Sequence, residues 1–146
     1  MTLNKKWKFK IEVVSKKPLR AYGWDWLGRI WFSEKEYESF TMGVYNWDIK
    51  GYQHQWKAGI ERIKTHDSSC LVTSFSTNRK TGAYIWMYKL YKVDTKIYIQ
   101  QRLLINESVE DDNFPPLTEF TSKNCYSYVG PRSENVWEKE ISVDDL

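Results

Sequence analysis

Trp47-Asp48-Ile49-Lys50-Gly51-Tyr52-Gln53-His54-Gln55-Trp56-Lys57-Ala58-Gly59-Ile60-Glu61-Arg62-Ile63-Lys64 is the one long segment of this chain with a helical period. Ile49, Tyr52, Trp56, Ile60 and Ile63 recur at steps of three and four, so they form one apolar stripe. Lys50, Gln53, Lys57, Glu61 and Lys64 fall largely off it and should face water. Asp48 is the expected N-cap, its carboxylate accepting from the first free backbone N–H groups at the positive end of the dipole. Gly51 and Gly59 each lower helix propensity by roughly 1 kcal/mol relative to alanine, so the helix needs tertiary packing of its stripe.

Strands are expected on both sides of the helix. Residues 8–14 alternate charged and apolar, with Phe9, Ile11 and Val13 inward. Residues 23–28, bounded by Gly23 and Gly28, read as a turn into a short strand over 29–32. Residues 33–45 show weak periodicity and read as an edge strand or loop. After the helix, 69–76, 83–91 and 97–105 read as an antiparallel meander. Its turns are the hairpin loop 78–82 and the stretch 93–96. The middle strand is apolar on both faces and therefore central. The expected fold class is α+β: a curved antiparallel β-sheet with one main amphipathic helix, about 48–64, packed on it.

Residues 106–116 break the pattern with Glu107, Glu110, Asp111 and Asp112 ahead of Phe114-Pro115-Pro116. A short helix is expected over 117–123, then one strand around Trp137. Ser142 should cap a last helical turn carrying Asp144 and Asp145.

The length of 146 residues fits one domain, 1–146. A hydrophobic fraction of 41% and a charged fraction of 28% place the chain among soluble globular proteins. No apolar run approaches the roughly 20 residues that span a bilayer. No secretory h-region follows the charged start, so the expected location is the cytoplasm and no membrane partner is expected. Residues 1–20 carry seven Lys or Arg against one Glu, whereas residues 107–146 carry three against ten acids. The chain is polarised, basic early and acidic late. Lysine-dressed strand edges explain the basic end most simply, and a charged face for a charged partner is the other reading.

Little in the chain suggests catalysis. His54 and His66 have no second ligand at metal spacing, so no metal and no cofactor is expected. His66-Asp67-Ser68-Ser69 has triad residue types, but adjacency does not give triad geometry, and a helix C-cap accounts for it better. Two cysteines, Cys70 and Cys125, are too few for a disulfide framework. The aromatic fraction of 16% is high. Tyr84, Trp86 and Tyr88 share a face, with Tyr98 on the neighbouring strand. Exposed, such rings stack bases while Lys89, Lys92, Lys96 and Arg102 hold phosphates. Buried, they receive Tyr52 and Trp56 from the helix, and the roughly 150–250 Å² that each ring removes from water makes core the default.

The order Trp47-Asp48-Ile49-Lys50, Tyr52, Trp56, Lys64-Thr65-His66, Leu71-Val72-Thr73-Ser74, Trp86, Leu90-Tyr91 and Ile97-Tyr98-Ile99-Gln100 resembles one family of immunity proteins from bacterial contact-dependent growth inhibition systems. The resemblance covers about residues 44–105. At the tail, Trp137-Glu138 stands where the family tends to carry a Trp preceded by Ser-Glu, with Val136 in place of the usual acid. The resemblance implies a Whirly-like sheet and a cytoplasmic, non-enzymatic protein. Its partner would be the C-terminal toxin domain of a delivered effector, commonly a nuclease, bound as a heterodimer. Carboxylates standing in for phosphates would serve such an inhibitor, which makes Glu107, Glu110, Asp111 and Asp112 the first candidates for toxin contact and Asp144 and Asp145 the second. The alternative is a single-stranded nucleic-acid-binding sheet, although nucleic acid is the less expected partner.

Overall fold

A computed structural model of the chain describes residues 7–15, 25–44, 46–76, 84–105 and 119–146. Among them seven strands and one α-helix follow in the order β1 (Lys10–Val13), β2 (Asp25–Trp31), β3 (Tyr37–Gly43), α1 (Ile49–Ile63), β4 (Ser68–Ser76), β5 (Tyr84–Val93), β6 (Lys96–Ile105) and β7 (Lys139–Ser142). The strands form two antiparallel sheets, β1-β2-β3 and β4-β5-β6-β7. The fold is α+β, as the alternation of periods predicts.

The helix begins where Asp48 places Oδ1 2.7 Å from the Gly51 N–H, with Asp48 itself in an extended conformation. Lys50, Gln53, Lys57, Glu61 and Lys64 are exposed. Tyr52, Trp56 and Ile63 are buried, each contributing on the order of 2–3 kcal/mol through its apolar surface, which outweighs the two glycines. Ile49 and Ile60 are only half-buried. Gln55 and Gly59 complete the stripe in their place.

Those two residues show what the helix packs on. It lies along the outer edge of β4, and its side chains satisfy the backbone groups that β5 does not reach. The Gln55 amide acts as a short strand would: Nε2 donates to the Cys70 carbonyl and Oε1 accepts from the Val72 N–H, both at 2.7 Å. The Trp56 indole donates to the Val72 carbonyl at 2.7 Å. The Tyr52 hydroxyl accepts from the Phe75 N–H at 3.0 Å and donates to the Gly43 carbonyl, so it joins β4 to the end of β3. Ser69 Oγ donates back to the Gly59 carbonyl at 2.7 Å. A Cβ on Gly59 would land on the Cys70 carbonyl oxygen, so only glycine lets helix and strand come this close. The stripe therefore closes a strand edge as well as burying rings.

The first sheet corrects the reading of 23–32. Gly28 is no turn residue; it sits inside β2 opposite Phe40 of β3, and the Phe40 ring lies over the space a Cβ would fill. That ring then meets Trp56 edge-on at 5.9 Å and Tyr88 at 6.1 Å, tying both sheets to the helix. The glycine is the seat of a cross-strand aromatic. Residues 37–43, left open as edge strand or loop, are strand β3. In β1 Phe9 is buried just ahead of the strand, while Ile11 and Val13 are half-buried.

The meander has the expected order, with β5 inside it. A bulge between Val72 and Ser74 leaves Thr73 unpaired, and its hydroxyl reaches the Trp86 carbonyl at 3.3 Å. Asp94, at φ 56°, turns β5 into β6. The last strand begins two residues after Trp137 rather than around it. Ser142 then forms a capping box with Asp145 at the head of a 3-10 turn, Val143–Asp145. The hairpin loop 78–82 and the acidic, proline-bearing stretch 106–116 lie outside the described residues, as do the first residues of the short helix expected over 117–123. Past Glu119 the described chain next forms a 3-10 turn at Cys125–Tyr128.

Candidate functional site

Two of the triad residue types, His66 and Ser69, take structural roles. The His66 N–H donates to the Arg62 carbonyl at 2.9 Å, finishing the helix. Ser69 is buried and spends its hydroxyl on Gly59. His54 is exposed and lines an open hollow of about 670 Å³ with Trp47, Lys50 and Ser122 at the start of the helix. No group of three His, Cys, Asp or Glu side chains able to hold a metal occurs among the described residues. Cys70 and Cys125 are buried free thiols, and Cys125 Sγ accepts from Gln55 Nε2 at 3.7 Å and donates to the Ser122 carbonyl at 3.4 Å. Burial, and then the neighbouring Cys125, push the Cys70 thiol well above its ordinary value, which makes it inert rather than nucleophilic.

The base-stacking set does not assemble. Tyr88 is fully buried, its hydroxyl donates to Glu38 Oε1 at 2.7 Å, and its ring packs with Phe32, Phe40 and Trp137. Tyr88 therefore faces the other sheet and not the helix rings that the sequence reading assigns to it. Tyr98 lies under the Arg132 guanidinium at 3.7 Å. Lys89 is buried, Lys92 Nζ donates to the Lys64 carbonyl, and Lys96 pairs with Glu140 at 3.1 Å. Trp86, Lys96 and Arg102 of that set are exposed, Lys96 within its ion pair. Burial pushes the Tyr91 and Tyr126 hydroxyls up to about 12, so both are neutral groups with no acid–base role near pH 7.

The acidic candidates divide. Glu107, Glu110, Asp111 and Asp112 lie outside the described residues. Asp144 is exposed. The Asp145 carboxylate is committed to the Ser142 N–H at 2.9 Å, and its carbonyl accepts the Phe9 N–H at 2.6 Å. Lys8 Nζ reaches the Leu146 carbonyl at 3.3 Å. Among the described residues, the acidic last turn thus docks beside the start of β1.

Exposed apolar surface collects elsewhere. Trp86 stands directly opposite Leu103, and Tyr84 opposite Ile105, on one face at the start of β5 and the end of β6. Trp86 and Leu103 are each 38% exposed and Ile105 37%. Beside them a cleft of about 360 Å³ opens between the sheets, lined by Leu27, Phe40, Thr41, Thr73, Trp86 and Gln101. Leu103 and Ile105 were missed in the sequence because an apolar residue in a strand is assumed to point inward; only the pairing of β6 shows that they do not.

Residues 42–143 match the sequence profile of the CdiI N-terminal domain. The chain belongs to that family. Its members are immunity proteins of contact-dependent growth inhibition, as the aromatic order along the helix and meander implies. Among solved structures the chain is similar to the CdiA-CT/CdiI toxin and immunity complex from Enterobacter cloacae. Identity is 21% and the TM-score 0.72, over 93% of this chain and 91% of that chain. At that identity the likeness carries the fold. A comparison with curated proteins gives no match. No described helix of this family member is long and apolar enough to cross a membrane.

Proposed function

We propose that this chain is a single-domain cytoplasmic immunity protein, residues 1–146, that binds the C-terminal toxin domain of its cognate effector and blocks it without chemistry of its own. The observation that carries the proposal is the family match across residues 42–143. The described surface fits it. Ser69 of the triad set and Tyr88 of the base-stacking set are tied into the fold, while Trp86, Leu103 and Ile105 are left exposed.

The toxin is a nuclease, and the inhibitor covers its active site. A nuclease cleft is built to hold phosphates, so carboxylates on a protein surface compete for the same cations. Glu107 stands two residues beyond Ile105 in the chain, so the acidic stretch follows directly on β6. Glu107, Glu110, Asp111 and Asp112 are the proposed contacts, with Asp144 as a second, exposed carboxylate and Asp145 a weaker candidate because its carboxylate already caps the last turn.

The test is a binding titration against the purified toxin domain at low salt. The wild-type chain binds, and a variant with Glu107, Glu110, Asp111 and Asp112 all replaced by lysine loses at least about a hundredfold in affinity, as four reversed charges of about 1 kcal/mol each would give. Unchanged affinity removes the acidic stretch from the site. Absence of wild-type binding removes the function.

A further inference from the structure

β6 is ten residues long, but β7 pairs only with its first part, Lys96–Ile99. The loop before β7 adds one further anchor: the Gln100 side chain donates to the Ser133 carbonyl at 2.8 Å and to Glu138, which Arg132 clamps through both its oxygens. Past Gln100, β6 has β5 on one side and no described strand on the other. Among the described residues, the backbone of 101–105 meets no strand on that side.

Proteins guard such edges with short strands, charge or a covering element. Three of the other edges follow that rule. β1 and β7 are four residues each and carry Lys10, Glu12, Lys139 and Glu140. The β4 edge is closed by Gln55, Trp56 and Tyr52. The free part of β6 has one charge, Arg102, and it is basic, exposed and without an ion pair among the described residues. Leu103 and Ile105 flank it on the opposite face, next to Trp86 and Tyr84. A ladder with no described partner, apolar seats at alternate positions and a cation between them are what an extended peptide needs: main-chain bonds for affinity, side-chain seats for register.

We infer that the edge of β6 over residues 101–105 is where the toxin domain docks, by adding one of its extended strands to the sheet. That strand sets apolar side chains against Leu103 and Ile105 and a carboxylate on Arg102. This rests on the immunity reading above and names the surface it uses. A second copy of this chain fits less well, because each copy would bring an arginine and neither a carboxylate to the shared edge.

Hydrogen–deuterium exchange on the full chain, alone and with the purified toxin domain, tests it. Alternate amides within 101–105, those turned away from β5, are expected to slow at least about tenfold in the complex, while their neighbours, already bonded to β5, stay as they are. Arg102→Glu, a change at an exposed side chain, is expected to weaken binding about tenfold and to leave exchange of the free protein unaltered. A complex that forms with no new protection over 101–105 overturns the docking edge and leaves the immunity function standing. Absence of any complex overturns both. Protection of the same amides in the free chain as its concentration rises assigns the edge to a second copy and overturns the inference.

Discussion

Gln55→Leu is expected to cost the fold about 4 kcal/mol. Leucine keeps the volume of glutamine but can neither donate to the Cys70 carbonyl nor accept from the Val72 N–H, and both contacts are 2.7 Å bonds at a residue 1% exposed. Each orphaned buried backbone group costs on the order of 1–3 kcal/mol, and two are orphaned at once. Against a total stability of about 5–15 kcal/mol that is a large share. Urea unfolding should show the midpoint falling with an unchanged slope. A loss under about 1 kcal/mol would mean that the β4 edge does not depend on the helix for its hydrogen bonds.

Gly59→Ala is the second. Helix propensity alone predicts a gain of about 1 kcal/mol. The structure predicts the opposite sign, because the new methyl group would meet the Cys70 carbonyl oxygen and the Leu71 side chain. To make room the helix must withdraw from β4, stretching the bonds of Gln55, Trp56 and Ser69 together. The expected net loss is about 3 kcal/mol, or roughly 6–12 °C in the thermal midpoint of a domain this size. Gly51→Ala is the control: its Cβ would meet only Asp48 and Trp47 side-chain atoms, at 3.2 and 3.5 Å, and its effect should stay within about 1 kcal/mol. Equal effects at the two glycines would contradict the close approach.

These two residues also mark where the sequence was legible. Its period placed Tyr52, Trp56 and Ile63 inward and Lys50, Gln53, Lys57, Glu61 and Lys64 outward. Gln55 and Gly59 lie on the same stripe, three residues after Tyr52 and three after Trp56, and so could have been found by spacing. An apolar-only stripe hides them. What periodicity does not encode is the surface on the other side: a sheet face takes apolar groups, whereas a strand edge also needs an amide, an indole N–H and a hydroxyl. Gly28 was misread for a related reason. Its glycine-like surroundings are local, but its cause, the Phe40 ring, is on another strand. The order of the meander, its central strand and the turn at Asp94 were legible. The Ser142 cap was legible too, whereas the contact of the tail with Phe9 is a long-range pairing that no local pattern announces.

The same distinction governs the candidate surface. Charge drew attention to Glu107, Glu110, Asp111 and Asp112, because a run of acids is visible in any sequence. A strand edge is visible only once its neighbours are known, and Leu103 and Ile105 look like core residues until their register with β5 sets them opposite Trp86 and Tyr84.

The central claim, that the chain acts by covering another protein and performs no reaction itself, is tested most directly by titrating the purified chain into a fixed amount of its cognate toxin domain while following toxin activity. The account predicts a linear fall to zero at one equivalent, with the chain inert on the toxin's substrate when assayed alone. Toxin activity unchanged by excess chain, or turnover of substrate by the chain itself, would contradict it.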